Sequence, residues 1–176
     1  MTLQSKTITG KGSRGHHKFT LTVTENSTND SANTSSISFN FTISPIQPGW
    51  DWNTQGTNIS YNINIDGTKY TGTIPDYNGS STVTLKRGTL NVDHDATGTK
   101  TMNFRFNVND RDGERYTCGS ASASGSMVLT PTTGQGLVYI DNGSGWDAYQ
   151  VYIDNGSSWD RYIPYIDNGS GWDMCT

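Results

Sequence analysis

Three histidines are the first residues to test for chemistry. His16 and His17 lie in a glycine-rich stretch, and His94 stands between Asp93 and Asp95. An Asp-His-Asp triplet has the residue types of a metal site or of an acid/base cluster. Adjacent side chains of an extended strand point to opposite faces, so His94 would point away from both carboxylates. We therefore favour a turn at the end of a strand for this triplet.

Other sequence signatures of enzymes and metal sites are weak in this chain. The segment "NDRDGE" has an acidic spacing faintly like that of a calcium loop, but the Asp at position 1 paired with a Glu at position 12 is missing. We favour a hairpin tip with an Asp112-Gly113 turn at that point. The sequence contains no GxSxG, HExxH or phosphate-binding glycine loop, and none of its many serines has a histidine positioned by the sequence to activate it. We expect a non-enzymatic protein without cofactor or metal.

A 13-residue repeat near the end of the chain is the strongest candidate for a binding site. It reads "VYIDNGSGWDAYQ", "VYIDNGSSWDRYIP" and "YIDNGSGWDMCT". Aromatic rings that stack on sugars, beside carboxylates that accept hydroxyl hydrogen bonds, would suit a glycan. The competing interpretation, which we favour, makes the tryptophans the core of stacked hairpins. The candidate ligand-binding residues are Tyr139, Tyr152, Tyr165, Asp141, Asp154, Asp167, Trp146, Trp159 and Trp172.

The elements that must position these residues are predicted to be strands. Helix formers are scarce, since there are six Leu and two Glu, whereas Thr, Tyr, Ile, Val and Phe favour strands. Four stretches alternate apolar and polar residues: "KFTLTVTE", "SISFNFTIS", "NISYNINID" and "TMNFRFNVN". Shorter candidates are "TKYTGTI", "STVTLKR", "GTLNVDH" and "SGSMVLT". Seven to nine short strands predict an all-β fold, an Ig-like or fibronectin-like antiparallel sandwich over residues 1–132, with a jelly roll as second choice.

Turn signals divide the chain further. Asp66-Gly67 predicts a type I′ hairpin, and Asn78-Gly79 marks another tight turn. The alternation stops at "TPTTGQG", so we place a domain boundary there and assign residues 133–176 to three 13-residue hairpins. Because an isolated hairpin is marginal in water, these units should stack on each other, on the sandwich or on neighbouring subunits.

Charge and cysteine content restrict the partners. The formal net charge is -4 and the basic residues are not clustered, so the sequence lacks the positive surface that nucleic-acid binding needs. We expect neither an export signal nor a membrane span, because no apolar run approaches the length of a transmembrane helix. Cys118 and Cys175 form no disulfide framework or metal motif, and a bridge between them is an open but disfavoured alternative.

Taken with its repeats, the chain resembles a family of phage proteins. The stretches "GHHKFTLTVTENSTNDSANTSSISFNFTISPIQPGWDW", "NISYNINIDGTKYTGTIPDYNGSSTVTLKRGTLNVDHDATGTKTMNFRFNV" and "GSASASGSMVLTPT" look like the N-terminal module of tail-associated minor structural proteins of siphoviruses that infect Gram-positive bacteria. The repeats are similar to "YIYNGSxWxxY"-like copies at the C-termini of phage structural proteins, with Asp141, Asp154 and Asp167 where a Tyr is common.

The resemblance implies a structural or decoration protein of the virion, on the head or tail surface, that aids adhesion to the host. It implies assembly in the bacterial host cytoplasm, other virion proteins as partners and a homo-oligomer, for which a trimer is the candidate. The alternative function is a carbohydrate-binding adhesion module that recognises host cell-wall glycans through the Trp and Asp residues of the repeats.

Overall fold

The structure is a computed structural model, and it describes residues 3–46, 59–77, 79–110, 118–132, 137–141, 143–154, 156–162, 165–167 and 170–174. These residues form strands and turns, with no helix among them. Eight strands precede the repeats: β1 (Ser5–Lys11), β2 (His17–Asn29), β3 (Thr34–Pro45), β4 (Ile59–Ile65), β5 (Thr68–Thr73), β6 (Val83–Asp93), β7 (Thr101–Asp110) and β8 (Ala121–Val128).

The first sheet has the strand order β1-β2-β3-β6, and all its pairs are antiparallel. Its centre is the long hairpin of β2 and β3, in which Leu21 lies opposite Phe41 and Val23 lies opposite Phe39. Period-2 alternation turns these apolar side chains to one face and leaves threonine and serine on the other. The sheet therefore has one buried face and one polar face.

The second sheet has the strand order β5-β4-β7-β8 and is also antiparallel. Asp66 and Gly67 join β4 to β5 with φ angles of 47° and 89°. A type I′ turn needs positive φ at both central residues, which an Asp-Gly pair tolerates. The predicted hairpin at this position is confirmed.

The two sheets pack face to face around a core of aromatic and branched side chains. The ring of Phe41 in the first sheet lies 5.0 Å from that of Phe106 in the second, centroid to centroid. Tyr61 crosses the same interface and donates its hydroxyl to the backbone oxygen of Leu85 at 3.1 Å. The predicted all-β sandwich is confirmed. Its strand order differs from that of an Ig constant domain, because β3 follows β2 directly and pairs with it.

Two strands differ from the sequence-based expectation. β1 was not predicted, because Ile8 is its only buried apolar residue and alternation cannot be recognised from one position. "STVTLKR" and "GTLNVDH" form the single strand β6 rather than two strands. Gly88 sits in the middle of β6 opposite Phe39, and a Cβ on Gly88 would come within 2.8 Å of the Phe39 ring. The glycine that suggests a break in the sequence thus makes room for a core aromatic.

The repeats form hairpins, as predicted, and the five strands are β9 (Leu137–Asp141), β10 (Trp146–Asp154), β11 (Trp159–Tyr162), β12 (Tyr165–Asp167) and β13 (Trp172–Met174). β9 pairs with residues 146–150 of β10, and β11 pairs with residues 151–154. β12 and β13 form the third hairpin. The first two copies therefore share β10, whose first half ends one hairpin and whose second half begins the next.

Candidate functional site

Two regions of the molecule hold residues that could bind a ligand or take part in catalysis. One is a buried polar cluster in the sandwich, and the other is the exposed face of the repeats. The buried cluster is built on Glu25 of β2, which is 1% exposed, and on the fully buried Ser35 of β3. The hydroxyl of Ser35 donates to Glu25 Oε1 at 2.7 Å and contacts His94 Nε2 at 2.8 Å. The other ring nitrogen of His94 lies 2.9 Å from the carbonyl oxygen of Gly98. A chain of hydrogen bonds thus joins β2, β3 and the turn after β6.

The carboxylate of Glu25 also holds the segment that follows β8. The backbone N–H of Thr130 lies 3.1 Å from both carboxylate oxygens, and its hydroxyl donates to Oε2 at 2.7 Å. The backbone N–H of Gln4 donates to the same oxygen at 3.2 Å. Burial alone would raise the pKa of Glu25, but the hydrogen bonds from Thr130, Ser35 and Gln4 outweigh it and hold the pKa below its usual value. These contacts stabilise the ionised form.

Asn33 extends the cluster on the other side of His94. It has a φ of 54°, a left-handed conformation that asparagine tolerates better than most residues. Its side-chain N–H groups donate to the backbone oxygens of His94 at 3.3 Å and Asp95 at 2.7 Å. The hydroxyl of Thr132 donates to the Asn33 side-chain oxygen. Residues 130–132 are therefore tied to both ends of the cluster.

A serine hydrogen-bonded to a histidine is also the beginning of a nucleophilic site, and sequence reasoning did not anticipate this pair. Here Ser35 has no exposed surface and His94 is 7% exposed, so a substrate has no access to the hydroxyl. The imidazole is oriented by a backbone carbonyl, and the serine donates to a carboxylate. We assign this cluster a structural role. A signal in the sequence exists, because Glu25 continues the inward phase of Phe19, Leu21 and Val23.

The interpretation of the Asp93-His94-Asp95 triplet as a turn agrees with the geometry. β6 ends at Asp93, and Asp95 closes the following turn through its side chain. Asp95 Oδ1 accepts the backbone N–H groups of Thr97 at 3.0 Å and Thr99 at 2.9 Å. Side-chain hydrogen bonds from Thr97 and Thr99 are the main reason that the pKa of Asp95 is lowered to about 2. Among the described residues, no group of three or more His, Cys, Asp or Glu side chains could hold a metal ion.

In the second repeat, three of the candidate ligand-binding residues share one face. Trp159 lies directly opposite Asp154 in the β10–β11 ladder, and Tyr152 is two residues before Asp154. Residues that are opposite each other, or two apart on one strand, lie on the same face of a sheet. Trp159 is 69% exposed and Tyr152 is 48% exposed. An accessible indole, a phenol and a carboxylate thus lie together on the surface of this hairpin.

The aspartates of the repeats have a local role as well. Asp141 Oδ1 accepts the N–H of Gly143 at 2.8 Å, and Asp154 Oδ1 accepts the N–H of Gly156 at 2.8 Å. Both glycines have positive φ, at 84° and 86°. The turns that begin at Asp141 and Asp154 therefore agree with the expectation from the sequence of the first two copies. One carboxylate oxygen is committed to the turn, and both aspartates stay exposed.

The remaining candidate residues are placed by their backbone only. Asp167 is exposed and ends β12. Trp146 follows the first turn and pairs with Asp141, and Trp172 pairs with Asp167, as Trp159 does with Asp154. The side chains of Tyr139, Tyr165, Trp146 and Trp172 lie outside the described part, as do Asp112, Gly113, Asn78 and Cys175.

Cys118, the other half of the disulfide considered above, is a free and buried thiol. Burial, with the nearby carboxylate of Asp110, raises the pKa of Cys118 to about 12. A thiol with so high a pKa carries almost no thiolate at neutral pH, so it is a poor nucleophile and a poor metal ligand. Cys118 therefore packs as a small apolar residue of the hydrophobic core.

Comparison with known proteins adds no neighbour: no family model, no curated protein and no solved structure matches this chain. Among the described residues, no helix is long and apolar enough to cross a membrane.

Proposed function

We propose that this chain is a non-enzymatic structural or decoration protein of a phage virion, displayed on the head or tail surface, and that it aids adhesion to the host. The sequence resemblance suggests the class, and the observation that carries the proposal is the exposed apolar surface of the repeats. Among the described side chains of the repeats, the large apolar ones with more than 45% exposure are Ile140, Tyr149, Tyr152, Ile153, Trp159 and Tyr162. Large exposed apolar side chains that are concentrated in one region are typical of an interaction site.

Unpaired strand edges in the repeats support assembly of several copies. The strand order is β11-β10-β9, but each neighbour covers only half of β10. On the side of β11, residues 146–150 have no strand partner among the described residues. Open edges pair readily with further strands. We propose that strands of other copies, or of other virion proteins, complete this sheet and give a homo-oligomer such as a trimer.

The uneven distribution of charge along the chain predicts how association should depend on salt. Residues 133–176 contain six Asp and one Arg, for a net charge of -5, whereas residues 1–132 have a net charge of +1. Copies that associate through the repeats bring like charges together. Salt screens such repulsion over about 8–10 Å. We therefore expect association to strengthen as the ionic strength rises, opposite to an interface held by ion pairs.

Sedimentation of the full chain over a range of concentrations tests assembly. We expect an oligomer, and we expect Tyr149→Ser with Trp159→Ser to raise its dissociation constant at least about tenfold, equivalent to 1.4 kcal/mol. Val128→Ser is the matched control, because Val128 is 63% exposed but lies in the sandwich. A wild-type chain that remains monomeric at high concentration and high salt would contradict assembly through the repeats.

A carbohydrate-binding adhesion module is the second candidate function, and the face that carries Trp159, Asp154 and Tyr152 favours it. An exposed indole can stack on the C–H face of a sugar, and an exposed carboxylate can accept a hydrogen bond from a sugar hydroxyl. Retention on purified Gram-positive cell walls tests this function. Trp159→Ala should abolish retention, whereas Tyr162→Ala, on the opposite face of the same hairpin, should leave it in place when both variants are compared at concentrations that give the same oligomeric state. Equal retention of the wild type and Trp159→Ala would refute the glycan site.

A further inference from the structure

The hydrogen-bond partners of Glu25, Ser35 and His94 determine how many hydrogens these three side chains share. Three contacts run in series, from Glu25 to Ser35, from Ser35 to His94, and from His94 to the carbonyl of Gly98, and each needs one hydrogen. A carbonyl oxygen only accepts, so His94 Nδ1 must carry a hydrogen. The single hydrogen of Ser35 is donated to Glu25 Oε1. The hydrogen between Ser35 and His94 must therefore come from His94 Nε2.

We infer that His94 carries a hydrogen on both ring nitrogens and forms with Glu25 a buried ion pair that is bridged by the Ser35 hydroxyl. A neutral imidazole and a hydroxyl supply two hydrogens, one too few for three bonds. The alternative source of the third hydrogen is a protonated Glu25. That form is disfavoured because both carboxylate oxygens also receive hydrogens from Thr130. The lowered pKa of Glu25 agrees with an ionised carboxylate.

Other charged groups around His94 do not replace this pairing. Asp93 is exposed at the end of β6, and both carboxylate oxygens of Asp95 are occupied by the turn from Thr97 to Thr99. Lys100, at the far end of that turn, forms an ion pair with Asp66 at 2.8 Å. Among the described residues, Glu25 is thus the carboxylate to which the His94 ring is connected.

The ion pair controls a defined part of the chain. Glu25 holds Thr130, and the turn beside His94 holds Thr132, whose backbone N–H donates to Gly98 O at 3.0 Å. These residues lie directly before the segment that leads to the repeats. Loss of the extra proton removes one hydrogen bond from the series and leaves a buried carboxylate without its counter-charge. The hydrogen bonds that hold residues 130–132 to the sandwich therefore depend on the charges of Glu25 and His94.

Nuclear magnetic resonance of the ¹⁵N-labelled full chain tests the inference at neutral pH. We expect His94 to show hydrogens on both Nδ1 and Nε2. A hydrogen on Nδ1 with a bare Nε2 would overturn the ion pair, and this result can be obtained on the wild-type chain, so it does not depend on any variant. Location of the protein in a virion plays no part in this readout, so failure here leaves the proposed function untouched.

Glu25→Gln gives a second and opposite expectation. Its side-chain amide supplies the missing hydrogen to Ser35, which can then donate to His94 Nε2, so the ring should lose one of its two hydrogens. Thr7→Val is the control, since it removes an exposed hydroxyl pair with Thr22 on the outer face and should leave both hydrogens in place. A ring that keeps both hydrogens in folded Glu25→Gln would contradict the count.

Discussion

Replacing Glu25 by alanine should destabilise the sandwich more than any exposed substitution. The change removes the acceptor for two donors of Thr130, for the Gln4 N–H and for the Ser35 hydroxyl, all at 2.7–3.2 Å. Removing one member of a buried ion pair costs about 3–5 kcal/mol. The free energy of unfolding of a domain is about 5–15 kcal/mol, so this substitution should remove a large share of the stability.

The isosteric Glu25→Gln separates charge from hydrogen bonding. It keeps an acceptor for Thr130 and a donor for Ser35, so we expect a loss of about 1–2 kcal/mol, in the range of single hydrogen bonds. Thr7→Val, which breaks an exposed hydroxyl pair of 3.0 Å, should change the stability by less than about 0.5 kcal/mol. Urea unfolding followed by circular dichroism gives all three values.

Acid provides an independent check on the alanine variant. Because the pKa of Glu25 is lowered in the folded protein, its contribution is present above the unfolded pKa and is lost as the pH falls through the folded pKa. The stability difference between the wild type and Glu25→Ala should therefore shrink in acid. A loss of less than about 1 kcal/mol of unfolding free energy for Glu25→Ala at neutral pH would contradict this role of the Glu25 carboxylate, as would equal losses for Glu25→Gln and Glu25→Ala.

Three further predictions concern other parts of the fold. Because the pKa of Asp95 is about 2, the turn that its carboxylate closes should persist until the pH falls to that value. Asp95→Asn should speed hydrogen exchange at the Thr99 amide, and an unchanged exchange rate would show that the Asp95 hydrogen bond does not protect this amide. Cys118, with a pKa of about 12, should be alkylated only after unfolding, as mass spectrometry of its peptide can measure, and rapid labelling of the native protein would contradict its burial. Gly12→Ala places a Cβ in overlap with the Cys118 carbonyl oxygen and should lower the melting temperature, whereas Gly145→Ala, whose Cβ meets no atom of the described residues within 4 Å, should not; equal effects of the two variants would argue against the close approach at Gly12.

Local patterns in the sequence were sufficient for much of the fold. Period-2 alternation identified β2, β3, β4 and β7, because each carries three or more apolar residues in phase. The Asp66-Gly67 turn followed from the φ angles that its residue types allow. Strand β1 has one buried apolar residue, so its place at the sheet edge depends on pairing with β2 and was not predictable locally.

The buried cluster could not be assembled from the sequence for a different reason. Glu25, Ser35 and His94 are polar residues that usually lie at the surface, and the contact between Ser35 and His94 spans 59 positions. Only the pairing of β3 with both β2 and β6 brings them together. In the repeats, the hairpin and its turn were predictable from Asp-Asn-Gly. The exposure of Trp159 was not predictable, because a 13-residue repeat does not show whether an aromatic ring is covered by its own chain, by another subunit or by solvent.

If this chain is a component of a virion, as we propose, the protein should be found on purified phage particles. Antibodies against the full chain can be applied to phage particles purified from the strain that encodes it, and the particles can be imaged with gold-labelled secondary antibody. We predict label at a fixed place on the head or tail, in several copies per particle. Intact particles that carry no label, with the protein confined to the particle-free fraction, would contradict the proposed function.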